Sequence, residues 1–249
     1  MLDLFLAWFG VAIIPVFLVI DLIWRAKRHH RARFWRLRAA VVTVAAIYVS
    51  LVVAGFWGGV LGDFHLLDLS GWGTWGGALA GVLAYEFGHY WYHRAVHRFD
   101  LLWRLGHQMH HSAESLDPWG AYYMHPLDVA CFTTVASFMI YPLLGITSEA
   151  GIAVAAFIGF NAIFQHASIP TPRWLGYLIQ RPESHSLHHA RGVHRYNFSD
   201  LPLWDMIFGT FRNPETFRDE QGFYDGASTR LVEVLLFQDV SKPKEPPAT

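Results

Sequence analysis

Three short stretches hold the residues best able to do chemistry. "HRAVH" supplies His93 and His97, "HQMHH" supplies His107, His110 and His111, and "HSLHH" supplies His185, His188 and His189. Within each, the spacing is i, i+4 or i, i+3, i+4, so on a helix the imidazoles of one stretch share a face. Neutral imidazole is the commonest biological metal ligand and suits iron, zinc, copper and nickel. Eight such rings packed without a metal would repel one another on protonation and would need many hydrogen-bond partners when neutral. Eight ligands also exceed the needs of one first-row ion. The pattern predicts two metal ions with about four to five nitrogen ligands each. His89 precedes His93 by four residues and joins its stripe, and Glu86 lies on that stripe two turns before His93. A carboxylate there is placed to orient a ligand imidazole.

The elements that must position these residues are mostly apolar helices. Residues 4–20 carry no charge and are long enough for a first membrane span. "RAKRHHRARFWRLR", residues 25–38, follows with seven Lys/Arg and no acid, as in a cytoplasmic loop obeying the positive-inside rule. Residues 39–62 form a second uncharged span. A third starts near Trp72 and is rich in glycine, with Gly73 and Gly77 at the spacing that lets helices approach closely in lipid. It runs without proline through "EFGHYWYHRAVHR", which carries it several turns beyond the membrane. Residues 129–148 and 150–167 form a hairpin of two further spans, and the tail "SKPKEPPAT" reads as disordered. Counting spans from the basic loop brings residues 89–111 and 185–194 to the cytoplasmic face, with His125 and His166 flanking the hairpin on the same side.

The expected fold is therefore all-α: a polytopic membrane bundle of about four to five spans with a cytoplasmic, His-rich di-metal cap. Its expected divisions are an N-terminal pair of helices with the basic loop (1–71), a catalytic domain including the hairpin (72–240) and the tail (241–249). Composition agrees, with 53% hydrophobic and only 16% charged residues. A net charge of −1 points away from nucleic acid. The one cysteine, Cys131, excludes an internal disulfide, an iron–sulfur cluster and a Cys-rich zinc site. Twelve of the fifteen histidines lie between 89 and 194.

"HRAVH", "HQMHH" and "HSLHH" resemble the three His boxes of the membrane fatty acid hydroxylase/sterol desaturase superfamily. "LLWRLGHQMHHSAESLD" resembles its second box, especially in the alkylglycerol monooxygenase branch, and "YNFSDLPLWDMIFGTF" its closing signature. The resemblance covers roughly residues 82–212. It implies that His93, His97, His107, His110, His111, His185, His188 and His189 are metal ligands, that His166 is a further one, and that His125, in "MHPLD", is another candidate. His89, His194 and Asn197 are then supporting residues, as is Glu86, and Asp205 is structural. This chain reads "NFS" where many relatives read "NYG", a departure confined to the turn at Asn197.

The resemblance further implies two non-haem iron ions, O2, and hydroxylation or desaturation of a C–H bond in a lipid. Trp91, Tyr92, Trp119, Tyr122 and Tyr123 are candidates for lining the lipid's path, and Trp103 lies nearby. The chain has no dinucleotide fingerprint or haem-attachment motif, so electrons must come from a separate cytochrome, ferredoxin, reductase or reduced pterin. A membrane metal transporter and a di-zinc membrane hydrolase are the alternatives. The first favours ligands at mid-membrane depth, and the second favours carboxylates mixed with histidine.

Overall fold

The computed structural model describes residues 2–244; residues 245–249 of the expected disordered tail lie outside them. Among the described residues every regular element is helical, and the only extended pairing is an isolated antiparallel bridge between Ala190 and Gln221. Helix α1 spans Leu2–Ile23, α2 Trp35–Leu61 and α3 Gly73–Arg98. A one-turn helix, α4 (Asp100–Leu102), runs through a π-turn at Trp103–His107 into α5 (Gln108–His111). Helix α6 (Pro126–Phe138) continues as a second π-turn, Met139–Leu144, and α7 (Ser148–Phe164) returns. The short helices α8 (Pro182–His188), α9 (Pro202–Ile207) and α10 (Leu231–Leu235) complete the chain.

The long helices pack in the order α1, α7, α3, α6, α2. Two stretches, Trp35–Leu61 and Pro126–Leu144, are long and apolar enough to cross a membrane, and only 11% of the first is buried inside the protein. That exposure separates α2 from the core helix of a water-soluble domain, because Val44, Tyr48 and Leu51 are left on its outer face. The apolar stretches Ala12–Ile23 and Ser148–Phe164 are shorter.

Close packing of α3 rests on Gly77 and Gly81. A Cβ on Gly81 would stand 2.7 Å from Val154 Cγ2, and one on Gly77 would stand 3.0 Å from the Ala150 methyl. The pair that meets α7 thus lies one turn beyond the expected Gly73 and Gly77. Gly73 faces open space and opens the helix with a positive φ of 64°. At the far end of α6, Pro142 and the π-turn leave carbonyls without helical partners. The link before α3 satisfies them: Leu66, Leu67 and Leu69 donate N–H bonds to the carbonyls of Pro142, Leu143 and Leu144.

The basic loop is fastened to the second box. Arg31 Nη2 donates to both carboxylate oxygens of Asp21, at 3.1 and 3.0 Å, while its Nε donates to Asp117 at 2.8 Å. Trp119 Nε1 donates to Asp21 and Trp35 Nε1 to Asp117, so two indoles and a guanidinium satisfy two buried carboxylates. In the tail, Arg230 donates to the Lys242 carbonyl and Lys244 pairs with Glu233.

Candidate metal centre

Nine buried or half-buried imidazoles gather into two groups where α3, α5 and α8 meet the end of α7. His93, His97, His107, His111 and His188 form one, and His110, His166, His185 and His189 the other, with the offered nitrogens of each group all within 4.8 Å of one another. The boxes are therefore shared between groups. His107 and His111 face the first, whereas His110 faces the second; His188 faces the first, whereas His185 and His189 face the second. Consecutive residues on a helix point about 100° apart, and the rings of His110 and His111 stand at 90° to each other. The single face expected from the spacing is thus two faces. The groups adjoin through His111 and His189, whose rings stack 4.2 Å apart.

Outer hydrogen bonds fix which nitrogen points inward. His93 Nδ1 meets the Phe198 carbonyl at 2.7 Å, His188 Nδ1 the Tyr196 carbonyl at 2.7 Å, and His107 Nδ1 the Asp128 carboxylate at 2.8 Å. Each of those partners only accepts, so the proton sits on Nδ1 and Nε2 keeps a bare lone pair. Yet His93 Nε2 lies 3.0 Å from His107 Nε2, and the buried Nε2 atoms of His111, His188 and His189 have no partner. In the second group, His166 Nδ1 meets the Ala162 carbonyl at 2.7 Å, and its Nε2 lies 3.2 Å from His110 Nε2 and 3.1 Å from His185 Nε2. Converging lone pairs repel unless a cation lies between them. Metal–nitrogen bonds of about 2.1 Å at right angles place neighbouring ligand atoms about 3.0 Å apart. The donor set, its spacing and its orphaned nitrogens fit two nitrogen-ligated metal ions. Burial holds His110, His111, His185, His188 and His189 well below the usual imidazole range, the neutral form that a metal requires. It holds His194 down to about 4.

The remaining predicted residues fall around the two groups. His194 Nδ1 lies 2.9 Å from His111 Nδ1 and so orients that ring. Asn197 takes a left-handed conformation, φ 57°, donates to the Ser184 carbonyl and accepts from Arg212 N, which ties α8 to the closing signature. Asp205 accepts from Phe198 N, Ser199 N and Thr210 Oγ1 and shapes the same turn. Glu86 Oε2 accepts from the N–H groups of Asp200 and Leu201, while its Oε1 is buried without a partner beside His89 and Asp200. His89 Nδ1 bonds the Tyr85 hydroxyl at 2.8 Å and lies outside both groups. His125 also lies outside them: its Nδ1 caps α6 by accepting from Leu127 N, and its ring rests on Phe237.

Among the aromatic candidates, Tyr92 donates to Asp128, Tyr123 to the Ser228 carbonyl, and Trp119 to Asp21. Tyr122 Oη lies 3.5 Å from the Gly159 carbonyl and Trp91 packs on Phe208. Trp103 packs against His97 and His111.

Sequence reasoning missed Asp128, which holds His107 in place. Its signal was present, as a lone acid at the entry to an apolar span. It also missed Gln180, whose amide reaches the His185 ring, the Gln165 side chain and the Asn197 carbonyl; nothing in the local sequence marks that residue.

Compared with known protein families, residues 78–210, more than half of the 249-residue chain, match the fatty acid hydroxylase family. The chain belongs to that family. All nine gathered imidazoles of this fatty acid hydroxylase family member lie inside the matched segment. Among curated relatives, the human alkylglycerol monooxygenase is 32% identical over 161 residues, covering 60% of this chain and 33% of that protein. The sphinganine C4-monooxygenase 1 of Arabidopsis thaliana is 25% identical over 145 residues, covering 57% of this chain and 56% of that protein. The ornithine lipid hydroxylase OlsE of Rhizobium tropici is 28% identical over 138 residues, covering 54% and 41%. The match thus spans about a third of the alkylglycerol monooxygenase's length. No solved structure matches the chain at a significant level.

Proposed function

We propose that this protein is a multi-pass membrane oxygenase that holds two iron ions and uses O2 and external electrons to oxidise a C–H bond of a lipid. The observation that carries the reading is the pair of buried imidazole groups whose Nε2 atoms converge at about 3 Å. An all-imidazole donor set argues against a di-zinc hydrolase, which needs a carboxylate base within reach. The lipid-modifying names of the relatives support the substrate class.

The ligands assigned here are the five imidazoles at 93, 97, 107, 111 and 188 and the four at 110, 166, 185 and 189. When bound, two iron ions there would supply O2 activation and oxidation of an unactivated C–H bond. The chain supplies the rest. Asp128 and the carbonyls of Phe198, Tyr196 and Ala162 hold ring protons on Nδ1 and aim Nε2 inward. Phe132, Phe198 and Trp103 pack against cluster rings and exclude water. In this reading α1, α2, the first half of α3, α6 and α7 cross the bilayer, the centre faces the cytoplasm, and residues 72–240 are the catalytic unit. Hydroxylation is the favoured outcome, because these relatives are named for monooxygenation or hydroxylation.

The test is metal content and lipid-dependent O2 uptake of protein purified from iron-replete membranes. Two irons per chain are expected in the intact protein. His188→Ala and His185→Ala should each lose one of the two metals and all O2 uptake, while His30→Ala, at an exposed loop position, retains both. Zinc in place of iron, with no O2 uptake on any lipid extract, would sink the oxygenase assignment.

A further inference from the structure

The third box also forms the wall of a solvent-open groove of about 420 Å³, in which Arg191, Arg195, Tyr196 and Arg218 stand beside Leu187 and Ala190. The Arg212 guanidinium lies 4.5 Å over the Tyr196 ring and that of Arg195 lies 5.5 Å from it. Arg191 pairs with Asp225 at 2.9 Å and lies 3.5 Å from Glu220, and Lys27 pairs with Asp219. Exposed Arg195 and Arg212 make no ion pair with a carboxylate among the described residues, whereas Arg218 acts on Asp219, so the surplus positive charge lies on the Arg195 and Arg212 side of Tyr196.

The groove is joined to the candidate metal centre. The Tyr196 carbonyl accepts from His188 Nδ1 at 2.7 Å, and Leu187 and Ala190 adjoin His188 and His189 in the chain. Ser186 Oγ accepts from Arg218 N at 2.8 Å and from Gln221 Nε2 at 3.0 Å, so the opposite wall is pinned to α8 as well. The imidazoles themselves are almost wholly covered, with His188 fully buried. Here a surface residue stands one hydrogen bond from a cluster ring.

We propose that this groove docks an acidic, one-electron carrier protein that reduces the centre, an inference that rests on the oxygenase reading. Hydroxylation balances as RH + O2 + 2e⁻ + 2H⁺ → ROH + H2O, so two reduced carriers dock and leave oxidised for each product. One oxygen atom of O2 enters the alcohol and the other leaves as water. A free phosphate or lipid headgroup would engage only part of this surface, because Arg195 and Arg212 are spread along the Tyr196 edge while Lys27 and Arg191 are already opposite Asp219 and Glu220. A protein face of many carboxylates and few cations complements this mixed surface, and unpaired arginines at its edge steer such a partner into register.

The test uses the full chain in phosphatidylcholine nanodiscs, with an acidic [2Fe–2S] ferredoxin as the probe. Binding should weaken about tenfold or more between roughly 20 and 300 mM NaCl. The R195E/R212E variant should bind about tenfold more weakly with a flatter salt dependence, and R195K/R212K should restore binding. After anaerobic reduction with dithionite and methyl viologen, removal of excess reductant and addition of 18O2, single-turnover formation of 18O-labelled hydroxylated lipid should be equal in the wild type and R195E/R212E, which shows an intact fold and centre. Ferredoxin binding that is salt-independent, or unchanged by charge reversal, overturns the docking site. So does a variant that loses only its adsorption to phosphatidylglycerol vesicles, which makes the groove a membrane contact. If neither chemically reduced protein forms 18O-labelled hydroxylated lipid from any extract, the oxygenase reading fails and takes the proposal with it, even where binding persists.

Discussion

Asp128 Oδ2 lies 2.8 Å from His107 Nδ1, both groups are buried, and Tyr92 donates to the other carboxylate oxygen. A carboxylate that accepts the ring proton makes the inward nitrogen a better ligand and fixes its aim. Asp128→Ala should weaken metal retention about 10–100-fold against a chelator, measured as metal left after dialysis; unchanged retention would remove Asp128 from the site. Protons should act in a known direction on the same cluster. The folded protein holds His110, His111, His185, His188 and His189 well below the usual imidazole range, chiefly by burial. The unfolded chain therefore binds more protons as pH falls below about 6.5, so stability is fully present above that value and is lost below it. Metal-free protein in detergent should melt at lower temperature at about pH 5.5 than at about 7.5; a higher melting temperature at the acid pH would contradict this.

At the scale of elements, the clusters depend on α3 staying against α7 and on α1 staying tied to the second box. Gly81→Leu drives a side chain into Val154 and Ile146, where even a Cβ would sit at 2.7 and 3.0 Å. Overpacking of this kind costs about 1–3 kcal/mol, read as a drop in melting temperature with partial metal loss. Gly55→Ala, on α2 where nothing lies within 4 Å, should leave both unchanged. Asp21→Ala removes a buried carboxylate from Arg31 and Trp119 and leaves their donors without it. Breaking a buried ion pair from one side costs about 3–5 kcal/mol, so this variant should accumulate poorly in membranes; wild-type levels would show that the loop is held by other contacts.

For the whole molecule, the proposed multi-pass arrangement puts the candidate centre on the cytoplasmic side. With Cys131 replaced by serine, a cysteine at Asp63 should react with a membrane-impermeant thiol reagent added outside intact cells. One at His30 should react only after permeabilisation. The reverse labelling would turn the centre away from the cytoplasm. The family rests on the match over residues 78–210, whereas the alkylglycerol monooxygenase is matched over only a third of its length. Comparing lipids from cells with and without the protein should show one lipid class losing its hydroxylated form.

The histidines were legible from the sequence because imidazole at i, i+3, i+4 is rare unless the rings are used, and two such stretches with an i, i+4 pair in one segment offer a full set of nitrogen donors. The all-helical fold was legible too, since long uncharged stretches can satisfy their backbone only as helices. The sequence could not divide the boxes between two ions, because that depends on how far consecutive residues splay around a helix and on which neighbour each ring meets. It paired Gly73 with Gly77, where tertiary packing uses Gly77 with Gly81. It could not see that Asp128, Gln180 and the carbonyls of Tyr196 and Phe198 converge on the imidazoles from distant parts of the chain. Residue type and spacing determined that a set of imidazoles able to hold metal exists. Only the packing of α3, α5, α7 and α8 decided which nitrogens meet, because lone pairs brought to about 3 Å of one another are a property of the folded chain.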